Sequence, residues 1–191
     1  MIKKVIFIFL LAISITCYFI LQKNGNSLFD EEQRRFSDLQ DREIVEIVFN
    51  SNKELDTALQ IAEATDAEEL LTAIPEERIL TVEVVNTAHS TTQGLSGRSE
   101  IGAEGMLFIF PTSENRYFWM KDMQFDLDMI WINDNKVVSV SKNISQPPQD
   151  TPDNRLETYS PNQDVDMVLE VNAGDAEKFN IQPGDVVQLV Q

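Results

Sequence analysis

The sequence has very few of the residues from which thiol and metal sites are usually built. It contains one cysteine, Cys17, and one histidine, His89. A single cysteine excludes a disulfide within the chain, and Cys17 lies in an apolar N-terminal run, so no thiol site is expected elsewhere. With one histidine, the sequence predicts neither a serine, histidine, aspartate triad nor a histidine-rich metal site. We therefore predict no catalytic residue, no metal and no cofactor from known motifs.

Basic residues are also scarce. The chain carries 15 lysines and arginines against 32 aspartates and glutamates, which gives a formal net charge of −17. A surface of this sign repels phosphate backbones, so nucleic acid is excluded as an expected partner. The length of 191 residues is enough for one domain with appendages but short for two full domains.

An uncharged apolar segment stands near the N-terminus. It runs from Val5 to Leu21 and follows Lys3 and Lys4, which predicts a transmembrane anchor with its N-terminus in the cytoplasm and the rest of the chain outside. A cleavable signal peptide cut near Ala12-Ile13-Ser14 is one alternative, and a lipid attached to Cys17 is another. The predicted location is thus the cell membrane, crossed once.

The next region, residues 22–79, is predicted to be a polar linker and helical spacer. Gln22–Ser27 is an exit linker, and a helix capped by Ser51 or Asn52 is expected to end before Pro75. The segment Glu43–Phe49 fits either a strand or the end of a helix. A separate β domain is expected over residues 80–191.

The densest apolar sequence outside the N-terminus is Gly105–Ile132, and it predicts the centre of that domain. Met106–Phe110 is a short, continuous apolar run that is typical of a buried strand. Pro111–Asn115 is interpreted as a turn and Arg116–Met120 as a returning strand. A third strand is expected over Leu127–Ile132.

The flanking segments predict further strands joined by short helices and turns. Thr87 is expected to cap a helical turn ending near Gly94, Asn133–Asn135 to form a hairpin turn, and Ser145–Pro161 to be a long irregular loop. The fold class is mainly β (α+β), a small bent antiparallel sheet or barrel with short connecting helices. The remaining predicted strands are Ile79–Val85, Lys136–Val140, Met167–Val171 and Val186–Val190.

Five blocks of sequence follow one another along residues 80–191: Gly94-Leu95 with Arg98, Glu104-Gly105-Met106-Leu107-Phe108 with Phe110-Pro111, Phe118-Trp119-Met120-Lys121, Leu127-Asp128-Met129, and Val168-Leu169-Glu170-Val171-Asn172-Ala173-Gly174 with Pro183-Gly184-Asp185. In these blocks and their order, the region resembles the domain of unknown function 192 family. That resemblance implies a small, mainly β domain, often exported or anchored in a membrane, and it implies no particular activity.

Polar residues inside these blocks are the candidates for a shared pocket. Asp126 and Asp128 lie two apart, about 6.5 to 7 Å on a strand, a separation that fits paired carboxylates in sugar hydrolysis. Asp128 also fits a structural role, in which it accepts hydrogen bonds from the backbone, Arg98 or Lys121. The full candidate set is Arg98, Trp119, Lys121, Asp122, Asp128, Glu170 and Asn172.

Two of these candidates have a simpler interpretation. Trp119 fits a core position, and Asn172 fits the cap of a short helix through Ala176 and Phe179. The main functional hypothesis is an extracytoplasmic module that binds a small ligand or an envelope protein. The alternative is an envelope-associated hydrolase that uses Asp128 with Asp126 or Glu170.

Overall fold

The computed structural model describes residues 34–51 and 78–190. The predicted anchor Val5–Leu21 and the predicted helix ending before Pro75 lie outside the described residues. Within the described ranges, no helix is long and apolar enough to cross a membrane. The described residues from Arg35 onward belong to one compact unit.

Seven strands of this unit close into a barrel. They are β1 (Ile44–Asn50), β2 (Arg78–Val85), β3 (Gly105–Asn115), β5 (Leu127–Asn133), β6 (Lys136–Ile144), β8 (Asp164–Asn172) and β9 (Val186–Leu189). Their order around the barrel is β1-β2-β3-β8-β5-β6-β9, with β9 pairing back onto β1. All pairs are antiparallel except β2 with β3. The mainly β prediction is therefore confirmed, and its barrel form is the one observed.

Strand β1 comes from a segment that the sequence left open between strand and helix. Val45, Ile47 and Phe49 alternate along it and face the barrel interior. Because both of its edges are paired, with β2 on one side and β9 on the other, β1 completes the closure. The barrel thus includes a strand from the region that the sequence analysis placed in the polar linker and helical spacer.

The barrel wall carries one apolar layer on each side, because successive side chains of a strand point to opposite faces. The inner layer includes Leu80, Leu107, Ile130 and Leu169. The outer layer covers β3, β5 and β8 and includes the fully buried Trp131. An outer layer of this size needs its own cover, and the connections around β4 (Phe118–Trp119) and β7 (Thr158–Tyr159) contribute to it.

Two predictions for the central stretch are wrong. Pro111–Asn115 continues β3 instead of forming a turn, and its pairing with β8 is irregular between Ile109 and Glu114. Such an irregularity tolerates Pro111, which has no N–H to donate to the neighbouring strand. The predicted returning strand shrinks to β4, which pairs with β7 and not with β3.

Several local predictions are confirmed. Asp134 and Asn135 both adopt positive φ, 49° and 59°, in the hairpin turn between β5 and β6. Thr87 caps helix α1 (Ala88–Gln93), since its side chain accepts a hydrogen bond from the N–H of Ser90. Helix α2 (Asp175–Lys178) lies between β8 and β9.

Candidate functional site

A cleft of about 480 Å³ opens between the C-terminal end of β6 and the chain from Ser145 to Tyr159. This volume is within the usual range for small-molecule sites. The lining mixes two cations, several polar groups and an apolar part. It comprises Met120, Lys142, Asn143, Ile144, Ser145, Gln146, Pro147, Pro148, Thr151, Arg155, Leu156, Glu157 and Tyr159.

Asp126 and Asp128 hold one wall of this cleft through its backbone. The Oδ1 atom of Asp128 accepts the N–H of Asn143 at 2.6 Å, and Oδ1 of Asp126 accepts the N–H of Gln146 at 2.8 Å. Asp128 is fully buried at the inner face of β5. The two aspartates therefore fix the path of the chain at the cleft, in agreement with the structural interpretation of Asp128.

Asp128 also anchors the start of helix α2. Its Oδ2 atom accepts the N–H groups of Gly174 at 2.9 Å and Ala176 at 3.0 Å. The prediction that Asn172 caps this helix is wrong, because the helix begins after Gly174, whose φ is 90°. Asn172 is the exposed last residue of β8. A buried carboxylate from another strand satisfies the donors that Asn172 was expected to satisfy.

The opposite wall is held by the segment that contains β4. Backbone pairing joins Trp119 to Thr158, and the Nζ atom of Lys121 forms an ion pair with Asp153 in the loop above the cleft. Met120 lies between these two residues in sequence and lines the cleft. Trp119 and Lys121 thus tie the segment of Met120 to the loop that contains Asp153 and Thr158.

Trp119 does not occupy the core, so that interpretation is wrong. Its side chain is 45% exposed, and the Nζ atom of Lys121 lies 5.4 Å from the centre of its ring. Trp131 is the tryptophan that fills the core. Successive side chains of a strand point to opposite faces. Phe118 and Met120 therefore pack into the outer apolar layer, and Trp119 between them points to solvent.

Asp122 and Arg98 lie away from the cleft lining. Asp122 is exposed, has a φ of 54°, and its carbonyl accepts the N–H of Gly97. Arg98 forms two hydrogen bonds with Glu83, at 2.7 and 3.0 Å, and Glu83 also accepts from Arg42. The hydrogen bonds from Arg98 lower the pKa of Glu83, and the same contact raises the pKa of Arg98. Arg98 is therefore the partner of Glu83 and not of Asp128.

Glu170 lies on the outer face of β8, in the apolar layer. It pairs directly with Met106 on one side and Met129 on the other, and it is 5% exposed. It forms no hydrogen bond or ion pair with any residue in the described ranges, and burial raises its pKa to about 8. Asp128 pairs with Val171 and faces the interior, so the two carboxyl groups lie on opposite faces of the sheet.

None of the seven predicted pocket residues lines the cleft. Asp128 binds the backbone of the lining residue Asn143, and Trp119 and Lys121 contact Thr158 and Asp153 in the neighbouring loop, whereas the other candidates lie elsewhere. Two cations of the lining, Lys142 and Arg155, were not predicted from the sequence. Their positions in the sequence gave a weak indication, because Lys142 precedes the proline-rich loop Ser145–Pro161 and Arg155 lies within it. Only the fold brings β6 and that loop together.

The charges of the cleft differ from those of the protein as a whole. Lys142 and Arg155 are exposed, and neither side chain has an ion pair or hydrogen bond with another residue in the described part of the chain. The acidic residue of the lining, Glu157, accepts a hydrogen bond from the hydroxyl of Tyr159 at 3.1 Å. Burial, followed by this hydrogen bond, raises the pKa of Tyr159.

Metal ligands of the common acidic, histidine or cysteine type are not clustered here. Across residues 34–51 and 78–190, no group of three or more such side chains is placed to hold a metal ion.

Comparison with known proteins identifies relatives of unknown function. Residues 71–189 match the family model DUF192, described as an uncharacterized ACR. A proposed transcription regulator from Sinorhizobium meliloti is similar with a TM-score of 0.59 and 21% identity, over 79% of this chain and 97% of its own. A protein of unknown function from Novosphingobium aromaticivorans gives a TM-score of 0.56 and 24% identity, over 82% and 90%. These structural similarities show a shared fold. No curated protein matches this chain.

Proposed function

Because this chain belongs to the DUF192 family, whose activity is not established, we propose a function from the geometry of the cleft. The protein is a membrane-anchored extracytoplasmic module that binds a small, negatively charged ligand between β6 and the loop Ser145–Tyr159. The observation that carries this proposal is that residues from separate family blocks hold the walls of one cleft.

The walls are tied to the barrel at several points. Asp128 and Asp126 bind the backbone beside Asn143 and Gln146, while Lys121 binds the loop through Asp153. A site held by such contacts needs little reordering when a ligand enters, and less ordering cost means tighter binding. These contacts support a preformed binding site.

The ligand class follows from the charges. The side chains of Lys142 and Arg155 line the cleft without a protein partner among the described residues, in a chain whose net charge is −17. An arginine and a lysine are suited to a carboxylate, sulfate or phosphate group. Met120, Ile144 and Leu156 supply apolar surface beside them, so the favoured ligand combines an anionic group with an apolar part.

The carboxylates support binding over hydrolysis. Both oxygens of Asp128 accept hydrogen bonds from backbone N–H groups, and Glu170 faces the opposite side of the sheet. A general acid and a general base must both reach one substrate. Neither Asp128 with Asp126 nor Asp128 with Glu170 supplies that arrangement.

Ligand charge is tested with a matched pair of probes, phenyl phosphate and benzyl alcohol, on the full-length chain in nanodiscs. We expect phenyl phosphate to bind and the uncharged alcohol to bind at least tenfold more weakly. Replacing both Lys142 and Arg155 by alanine removes both cations of the cleft lining and is expected to weaken phenyl phosphate binding tenfold or more. A tenfold loss corresponds to about 1.4 kcal/mol of binding free energy. Titration calorimetry measures these affinities.

Lys136→Ala is the control, because Lys136 lies at the other end of the same strand, β6. It is expected to leave phenyl phosphate binding unchanged. Equal binding of the two probes, or full binding by the double variant, would contradict the proposed cleft.

The proposed location has its own test. Lys3 and Lys4 before Val5–Leu21 favour a cytoplasmic N-terminus. A C-terminal alkaline phosphatase fusion, which requires export for activity, is expected to be active, and a green fluorescent protein fusion at the same point to be dark. The opposite pair of readouts would place the barrel in the cytoplasm.

A further inference from the structure

A row of three side chains crosses the outer face of the barrel outside the cleft. Glu170 on β8 pairs directly with Met106 on β3 and with Met129 on β5. Directly paired residues have Cβ atoms about 4.5 to 5.5 Å apart on the same face. The two thioethers therefore flank one carboxyl group.

The carboxyl group in this row has no protein partner in the described residues. Glu170 is 5% exposed, while Met106 and Met129 are fully buried. Buried carboxyl groups are normally hydrogen-bonded or paired, because removing a charge from water without compensation is costly. An unpaired carboxyl among apolar side chains is the type of group that a bound cation completes.

Two further methionines belong to the same buried layer. Met120 and Met123 both come from the segment that covers β3, β5 and β8. The chain has six methionines, and four of them belong to this one layer. A methionine side chain is unbranched and flexible, which lets its sulfur move toward a central point.

We propose that Met106, Glu170 and Met129 form a binding site for a soft monovalent metal cation, Cu(I). Thioether sulfur selects Cu(I) over hard cations such as Mg²⁺ and Ca²⁺, which take oxygen ligands. The charge of the site also favours a monovalent ion. One carboxylate and one monovalent cation give a buried site with no net charge, whereas a divalent ion would leave one uncompensated positive charge.

The site is independent of the cleft. None of its residues lines the cleft, and the pairing of β8 with β3 and β5 fixes the row without the loop Ser145–Tyr159.

The test measures Cu(I) affinity of the full-length chain by competition with bicinchoninate, under anaerobic conditions with ascorbate. Wild type is expected to bind one Cu(I), and X-ray absorption at the copper edge to show sulfur neighbours. The variant Met106→Leu/Met129→Leu is expected to lose affinity at least a hundredfold, and Glu170→Gln at least tenfold.

Met167→Leu is the matched control, because Met167 is equally buried but lies in the inner layer of the barrel. Leucine conserves the volume of methionine, so the barrel is expected to stay folded in each variant. If the double variant fails to fold, Met129→Leu alone and Glu170→Gln carry the test. Absence of Cu(I) binding by wild type would overturn the site. So would a Cu(I) affinity of the Met106→Leu/Met129→Leu or Glu170→Gln variant equal to that of Met167→Leu.

Discussion

Replacing Glu170 by glutamine is expected to remove most of the pH dependence of barrel stability between pH 5 and 8. In the wild type, burial raises the pKa of Glu170 from its ordinary value of 4.5 to about 8 in the folded protein. Glutamine is neutral at every pH and has nearly the same shape. The variant thus keeps the packing between Met106 and Met129 and loses only the titration.

The sign of the effect follows from proton binding. Between the two pKa values the folded state holds a proton on Glu170 that the unfolded state has released, so the free energy of unfolding falls as the pH rises. The fall is about 1.4 kcal/mol per pH unit, or roughly 4 kcal/mol from pH 5 to 8. The stability is fully present below pH 4.5 and is lost as the pH rises to about 8.

Other shifted carboxyl groups act outside this window. The pKa of Glu83 is lowered by its hydrogen bonds to Arg98 and Arg42, and the pKa of Asp41 is lowered by its hydrogen bond from Ser90. Such groups contribute stability above their unfolded pKa values, and that stability is lost as the pH falls. Unfolding between pH 5 and 8 therefore reports chiefly on Glu170.

The measurement is denaturant unfolding of metal-free, full-length protein at several pH values, followed by the fluorescence of the buried Trp131. Wild type and Glu170→Gln are expected to be similar near pH 5 and to separate by several kcal/mol at pH 8. Glu177→Gln, on the exposed side of α2, is the control and should follow wild type. A Glu170→Gln variant that loses stability with pH as steeply as wild type would show that Glu170 is not the titrating group.

The second large effect is expected for Asp128→Ala. This substitution leaves the N–H groups of Asn143, Gly174 and Ala176 without their acceptor. Each unsatisfied buried donor costs about 1 to 3 kcal/mol, although water reaches some of them after the change. We therefore expect the free energy of unfolding to fall by about 3 to 5 kcal/mol.

Three further variants are expected to lose less unfolding free energy than Asp128→Ala. Asp128→Asn keeps one acceptor oxygen but turns an NH₂ group toward backbone donors, so its loss is expected to be about 2 to 3 kcal/mol. Asp126→Ala removes one exposed hydrogen bond, to the N–H of Gln146, and is expected to cost about 1 kcal/mol. Asp164→Ala, at the exposed start of β8, should stay within about 0.5 kcal/mol of wild type.

The graded series also separates structure from catalysis for Asp128. A purely catalytic aspartate is usually replaced with little loss of stability, whereas an acceptor for several buried donors is not. Wild-type stability in Asp128→Ala would therefore contradict its role as the anchor of the cleft wall and of α2.

Much of the fold could be predicted from local patterns. Short apolar segments predicted the strands over 79–85, 127–132 and 167–171, and side-chain chemistry predicted the Thr87 cap and the hairpin turn at Asp134 and Asn135. These features depend on neighbours within a few residues. The path of β4 could not be predicted, because its partner β7 lies about forty residues later and offers only two residues to pair.

The candidate site was harder to predict for the same reason. Asp128 and Glu170 are both carboxylic acids in apolar strands, yet one accepts several backbone donors and the other accepts none in the described part of the chain. The difference is a matter of which face of the barrel wall each side chain occupies. No local pattern contains that information.

The sequence alone determined most of the barrel strands, the Thr87 cap, the hairpin turn at Asp134 and Asn135, and which family the chain resembles, because these depend on the chemistry of consecutive residues. The tertiary structure alone decided that the strands close into a barrel, that Lys142 meets the loop containing Arg155, and that Glu170 is buried between two methionines. Strand register is the physical reason, since a pairing across the sheet sets every neighbour of a side chain and a shift of one residue would exchange its inner and outer faces.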